Sequence, residues 1–312
     1  MSIIQKIKNL RKEKINIYKE KGQKLNIENP KKVSAVIPNY NYEKYIVERI
    51  DSVLLQTYPI YELIIVDDCS KDNSVAIISK KVEKIKKEYP NLIIKFMVNE
   101  KNSGNVFCGW QRAFEESTGD YLWICEADDS CSNTFLETVM KGFDDPETVL
   151  SYCESLTMDE NNIILMKDLR EWIDIFKIGK WNNDYLITGK DELSSTMCIN
   201  NTIANASSVV FKKYDGLDYK NWLKESQTFR LAGDWYFYSK VIENGKVAYF
   251  KDSLNYHRMQ SKSVTLTTSG QKEYDEIVRM QDDIMSRIEL SDDIKNKVYK
   301  RRKDTKERLH AE

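Results

Sequence analysis

The chain has 312 residues, 41% hydrophobic and 31% charged, enough for one large core plus an appendage. Its 48 basic and 49 acidic residues leave a net charge of −1, so nothing in the total suggests a nucleic acid as partner. With two His, six Cys lacking a CxxC pair, no signal peptide visible and no membrane-length apolar run, a His-rich metal cage or His-based triad has almost no material, no zinc spacing or spanning helix is read, and reduced cytosolic thiols are expected.

Residues 1–32 carry ten Lys or Arg against three Glu, with Ile3, Ile4, Ile7, Leu10 and Ile15 near helical spacing. They predict a solvated helix on the domain or, alternatively, a basic amphipathic segment that visits an anionic membrane face. "VSAVIP" from Val33 predicts a buried strand ended by Pro38. A helix follows with Ile46, Ile50, Val53 and Leu54 on one face, then the strand "YELIIVDD", closing on two Asp. A second helix is expected to open at Ser70, with Asp72 in its first turn, and to end before Pro90. "NLIIKFMVNE" predicts a third strand, "NVFCGWQRAFEEST" a helix stopped at Gly119, and "DYLWICEADDS" a fourth strand. Such alternation predicts a mostly parallel α/β sheet covered by helices on both faces.

Beyond about residue 150 the pattern loosens. "VLSYCESLTM" and "NNIILM" predict a strand pair, and "NASSVVFKK" and "VAYF" further strands. "LAGDWYFYSKVIENGK" predicts a helix, as do residues 271–290 and a charged closing segment with Ser291 as its N-cap. The expected organisation is a basic segment over 1–32, a main domain over 33–265 split near residue 130, and a helical extension over 266–312.

In a parallel sheet, ligands bind beyond the carboxyl ends of the strands. The conspicuous polar residues fall there: Pro38, Asn39 and Tyr40 after the first strand, Asp67 and Asp68 after the second, Asn102 and Gly104 after the third, and Glu126, Asp128 and Asp129 after the fourth. Carboxylates this close raise one another's pKa unless water or a cation sits among them. With so little His and no paired Cys nearby, the set suits Mg²⁺ or Mn²⁺, which need only one or two carboxylates when substrate phosphates complete the shell. There is no GxxxxGK[ST] and no GxGxxG, which disfavours the usual ATP and dinucleotide folds and leaves a sugar nucleotide.

"VSAVIPNYN", "LLQTYPIYELIIVDDCSKDNS", "NSGN", "STGDYLWICEADDS" and "GDWYFYSKVIENGKVAYF" together resemble the inverting family-2 glycosyltransferases of the GT-A, Rossmann-like fold, in order over about residues 33–265. The resemblance implies a bacterial enzyme moving N-acetylglucosamine or a related hexose from a UDP-sugar to a hydroxyl of a glycan, a lipid-linked glycan, or a Ser or Thr of a surface protein such as flagellin. It implies that Pro38, Asn39 and Tyr40 form the first nucleotide turn, with Tyr40 against the uracil, and that Asp68, beside Asp67, binds the base. Asn102 and Gly104 border the nucleotide. "EADD" stands for the family's DxDD motif, so Asp128 first and Asp129 second are the metal candidates, Glu126 and Asp128 also count among the nucleotide-binding residues, and Glu126 replaces the more usual Asp of ribose or metal contact with a longer arm. Asp234 matches the general base, with a capping role at the helix start as its structural alternative. His257 is a candidate for the metal or the pyrophosphate, and Arg258 and Lys262 for the diphosphate or for plain surface charge. Trp181, Trp222, Trp235 and Tyr236 are candidate sugar platforms that the ordinary behaviour of aromatics would place in the core.

Two rivals stand beside this reading. A sugar-nucleotide nucleotidyltransferase would need a Gly-rich basic loop after the first strand, and "NYNYEKY" has no Gly. A non-catalytic sugar-nucleotide-binding protein would keep the fold and lose the transfer. The expected location is the cytoplasm, or peripherally at the inner face of a membrane through the basic segment.

Overall fold

A computed structural model describes residues 13–19, 23–260 and 270–311. The elements in order are β1 (Val33–Asn39), α1 (Ile46–Leu54), β2 (Glu62–Asp67), α2 (Ser74–Glu88), β3 (Ile93–Val98), α3 (Val106–Glu116), β4 (Tyr121–Ile124), β5 (Ser130–Cys131), α4 (Phe135–Val139), β6 (Thr148–Met158), β7 (Ile164–Met166), β8 (Tyr185–Thr188), β9 (Val209–Lys212), α5 (Tyr219–Ser226), α6 (Gly233–Ile242), β10 (Lys246–Arg258), α7 (Gln271–Arg287) and α8 (Asp292–Leu309). They build one ten-stranded sheet in the order β3-β2-β1-β4-β9-β6-β10-β5, with β7 beside β6 and β8 beside β10.

Every residue of β1 and β2 is buried, as strands covered on both faces must be. Successive side chains point to opposite faces, so Val36 joins the core under α3 and α6 while Ala35 and Ile37 join the core under α1 and α2. β1 pairs in parallel with both β2 and β4. The chain goes out to β3 on one side of β1 and returns to β4 on the other, which makes the carboxyl end of β1 the switch point of the sheet.

The parallel arrangement expected from sequence holds among β1 to β4, whereas the second half is mixed. β9 runs antiparallel to β4 and β6, β10 runs parallel to β6, and β5, β7 and β8 are antiparallel to their neighbours. Of these antiparallel pairs, only β6 and β7 are joined by a short return; the others bring together strands far apart in the chain, which a pattern of apolar runs does not reveal. The strand read as "VAYF" extends to Arg258, and β1 includes Pro38 rather than stopping at it.

The helix expected to open at Ser70 begins at Ser74. The Ser70 backbone N–H and Oγ bind the Asp67 carboxylate at 2.8 and 2.7 Å, so Ser70 closes a turn rather than capping a helix. Ser291 does cap α8, its Oγ accepting from the Ile294 N–H at 3.4 Å. Of the N-terminal segment, residues 1–12 and 20–22 lie outside the described residues. The described part is not a helix over its length: Lys14 bridges to Ile163 beside β7, Ile15 and Ile17 are buried with Leu156, Met158 and Tyr256, and residues 17–19 form one 3-10 turn. The C-terminal helices share the main core, where Met280, Ile284, Leu290 and Val298 pack with Trp235, Phe237 and Val241.

Candidate active site

The turns beyond β1 and β2 are stitched together. Asn41 adopts φ of 60°, which Asn tolerates better than most residues. Its N–H binds Ser70 Oγ at 2.9 Å, and its side-chain oxygen accepts from the Lys71 N–H at 2.7 Å. Asn39 is buried and donates to Asp67 at 2.6 Å, so Asn39 and Asp67 form the wall behind this turn. Tyr40 is 41% exposed at its rim. Asp68 faces the loop after β3, accepting from Asn99 Nδ2 at 2.6 Å and from the Ser103 N–H and Oγ at 2.9 and 2.8 Å. Asn102 donates to the Asp68 carbonyl at 3.2 Å. Gly104 follows at φ 72°, where a side chain would be strained, and Asn105 then caps α3.

The acidic turn leaves β4 next to the end of β1, with the Cys125 N–H bound to the Val36 carbonyl. Its carboxylates have different surroundings. Asp129 is 2% exposed and saturated: it accepts from Ser207 Oγ at 2.7 Å, Asn205 Nδ2 at 3.0 Å and the Arg258 N–H at 2.8 Å, with His257 Nδ1 at 3.3 Å. Burial pushes Asp129 up, but His257 and these hydrogen bonds outweigh it and hold the carboxyl below its ordinary range. Asp128 is half-buried and, among the described residues, takes one side-chain donor, Gln260 Nε2 at 2.5 Å; burial and then Asp129 raise its pKa. Glu126 accepts from Trp110 Nε1 at 3.0 Å, and burial followed by Asp128 pushes it up to about 8. Tyr42 faces all three, since their charges add to burial in raising its phenol.

For His257, burial opposes the charged form, but the Asp129, Asp128 and Glu126 carboxylates prevail and raise its pKa. Asn205 Nδ2 lies 2.7 Å from the same Nδ1. That nitrogen can accept from Asn205 or donate to Asp129 at 3.3 Å, but not both.

Asp234 stands in the first turn of α6. Gly233 before it is pressed against Phe107 of α3, where an added Cβ would come within 2.3 Å of the ring. The Asp234 carboxylate accepts from the Trp235 N–H at 2.7 Å and from Asn201 Nδ2 at 3.4 Å. Burial raises it to about 6. Tyr238, one turn on, is fully buried and feels both Asp234 and Glu126, and its ring lies 6.2 Å from that of Trp110, which holds Glu126. The start of α6 and the acidic turn therefore meet across the Trp110–Tyr238 pair, and the Asp68 loop joins them through Asn105 at the head of α3.

Some sequence candidates fall elsewhere. Arg258 is neither a surface charge nor open to a diphosphate. It is 2% exposed and donates to the Asp128 and Asp159 carbonyls at 2.7 and 2.9 Å, to Asn162 at 2.5 Å and to Glu48 at 3.1 Å. Trp181 and Trp235 are core residues, 1% and 3% exposed, and offer no platform. Trp222 packs on Tyr219 and Tyr236 on Phe229. Lys262 lies outside the described residues. Conversely, Tyr42, Trp110, Asn201, Asn205, Ser207 and Gln260 surround the carboxylates without a readable motif, because their spacing in the chain reflects no single element.

Among the described residues, no three His, Cys, Asp or Glu side chains converge to hold a metal by themselves. One carboxylate with free acceptor capacity, Asp128, fits a hard cation completed by phosphate oxygens; Asp129 has little left to offer.

The sequence profile of Glycosyl transferase family 2 matches residues 34–197, just over half of the chain. The chain belongs to glycosyl transferase family 2. Family relatives include the glycosyltransferase alr2836 of Nostoc sp., 31% identical over 118 residues, which are 38% of this chain and 34% of that one. Another is the poly(ribitol-phosphate) β-N-acetylglucosaminyltransferase TarS of Staphylococcus aureus, 32% identical over 100 residues, 31% of this chain and 16% of that one. The chain thus matches well under two thirds of the length of these curated relatives. Among solved structures, residues 1–349 of TarS in complex with UDP-GlcNAc superpose with a TM-score of 0.62 at 18% identity, covering 86% of this chain and 72% of that one. The mannosyltransferase PcManGT of Pyrobaculum calidifontis, in complex with GDP-Man and Mn²⁺, gives a TM-score of 0.60 at 13% identity, covering 95% of this chain and 73% of that one. At these identities the likeness establishes the GT-A fold.

Proposed function

We propose that this family-2 chain transfers a sugar, N-acetylglucosamine or a related hexose, from a UDP-linked donor to a hydroxyl acceptor by one inverting displacement. The observation that carries the reading is a half-buried Asp234 in the first turn of α6, raised to about 6, on the helix whose Tyr238 feels both it and Glu126 of the acidic turn. Asp234 takes the proton of the acceptor hydroxyl as that oxygen attacks the anomeric carbon opposite the departing diphosphate. Its raised pKa favours that step, because a base near the working pH is both ionised and basic enough to accept. Exposed Tyr40 lies against the base; Asp68, Asn102 and Gly104 border the nucleotide, with Pro38, Asn39 and Asp67 behind the turn. A divalent ion, Mn²⁺ or Mg²⁺, would be held by Asp128 together with the diphosphate, with Asp129 and His257 as the remaining candidates; its chemistry is to stabilise charge on the leaving group. The support for UDP and N-acetylglucosamine is the TarS complex, and for Mn²⁺ the PcManGT complex.

We assign residues 33–130 to the donor, 131–265 to the acceptor, and propose a glycan, a lipid-linked glycan or a protein hydroxyl as acceptor. No described helix is long and apolar enough to cross a membrane. Contact with an anionic membrane face would fall to the basic residues of 1–32.

The test is UDP release on incubation with UDP-GlcNAc, Mn²⁺ and candidate acceptors. Asp234→Asn is expected to lower turnover by about 10²–10⁴-fold with UDP affinity unchanged. Full turnover in that variant removes Asp234 from the role.

A further inference from the structure

Helix α7 buries a carboxylate. Glu276 is 7% exposed, on the same helix face as Met280, Gln281 and Ile284. Such a group needs a cation or several N–H donors. Glu276 has the donors: the backbone N–H groups of Arg230 and Leu231, each at 2.7 Å, and of Ala232 at 3.0 Å. These residues lead directly into Gly233 and Asp234. The N-cap of α6 is Ala232, whose side chain has no acceptor, so a carboxylate from another helix fastens the turn that a Ser or Asp would otherwise fasten locally.

The opposite wall of Asp234 is tied to the same helix pair. Gln281 donates to the Ile199 carbonyl at 2.9 Å and accepts from Arg302 Nε at 2.8 Å, and Arg301 donates to Asn200 Oδ1 at 3.1 Å. The next residue, Asn201, is the one that reaches Asp234.

We infer that Glu276 is a positioning residue for the base: it pins the 230–232 backbone and thereby the place of Asp234, so that the C-terminal helix pair is a working wall of the active site. This rests on Asp234 being the base. Glu276 is also a negative charge beside Asp234 and adds to the burial that raises it. Among the described residues, the other groups facing Asp234 are neutral Asn201 from its loop and Tyr238 on its own helix, behind which stands Glu126.

The test compares wild type, Glu276→Gln and Asp234→Asn by carboxyl-carbon NMR titration and by backbone hydrogen exchange over 230–236, with UDP release from UDP-GlcNAc alongside. The resonance missing from Asp234→Asn is expected to titrate near 6 in wild type. In Glu276→Gln it should fall by roughly half a pH unit or more, since a like charge has been removed. The 230–236 amides should exchange about tenfold faster or more in that variant, as a fastened turn loosens. Unless both change, the inference is overturned, while an inactive Asp234→Asn keeps the base assignment standing. Full UDP release by Asp234→Asn overturns the base assignment and the role of Glu276 with it. If Glu276→Gln does not fold, Glu276→Asp keeps the charge on a shorter arm: faster exchange at 230–236 supports the inference, and wild-type protection there overturns it.

Discussion

Glu126, Asp128 and Asp129 fall within four consecutive positions, yet each meets a different field. Asp129 is ionised and locked by Ser207, Asn205 and Arg258, while Asp128 and Glu126 are raised by burial and by their neighbours. Glu126, at about 8, holds its proton in the folded protein at pH values where an unfolded Glu has lost it. The folded state then binds more protons than the unfolded one, so this residue's contribution to stability declines as pH rises from the ordinary Glu range through about 8. Glu126→Gln keeps an acceptor for Trp110 and carries no charge. Thermal melts of variant and wild type should therefore coincide in mild acid, with the variant pulling ahead as pH rises; wild type melting higher at alkaline pH would contradict this. For Asp234 in its proposed role the sign is that of a base. It must be deprotonated to accept, so kcat should be flat above about 6 and fall as pH drops through that value. A pH–kcat profile with no acid limb would refute it.

At the scale of elements, the acidic turn keeps its shape because β10 grips it from beside. Arg258 at the end of β10 binds the Asp128 carbonyl, the turn between β6 and β7 through Asp159 and Asn162, and α1 through Glu48. Its guanidinium also lies 4.5 Å from the Tyr45 ring. Planar, multi-donor bridging of this kind is the work of Arg and not of Lys. Removing one partner of a buried charged network strands the others, so Arg258→Ala should cost about 3–5 kcal/mol, read as a lower urea midpoint. A midpoint within experimental error of wild type would show that the network carries little.

For the whole molecule, the proposed site is assembled from turns after four strands, which would take the donor, plus the start of α6, and a ligand that binds only the assembled state must stabilise the fold. At a hundredfold excess over Kd the gain is about 2.7 kcal/mol, a rise of several degrees in Tm. UDP-GlcNAc with Mn²⁺ should produce this rise, and Asp128→Ala should lose the part that depends on Mn²⁺. An equal rise in Asp128→Ala would take that residue out of the metal site.

The parallel half of the sheet, the cap at Ser291 and the strand-end placement of Asp68 and Asp128 were legible because hydrophobic period, capping and strand-end chemistry are local properties. The family resemblance added Asp234, whose role no local period reveals. Hidden in the sequence were the antiparallel pairings of β7, β8 and β9, the burial of Arg258, the saturation of Asp129 and the clasp of Glu276 on residues 230–232. Each depends on which distant backbone or side chain arrives beside it, and a carboxylate is solvated, locked or poised according to those neighbours rather than to its own place in the chain.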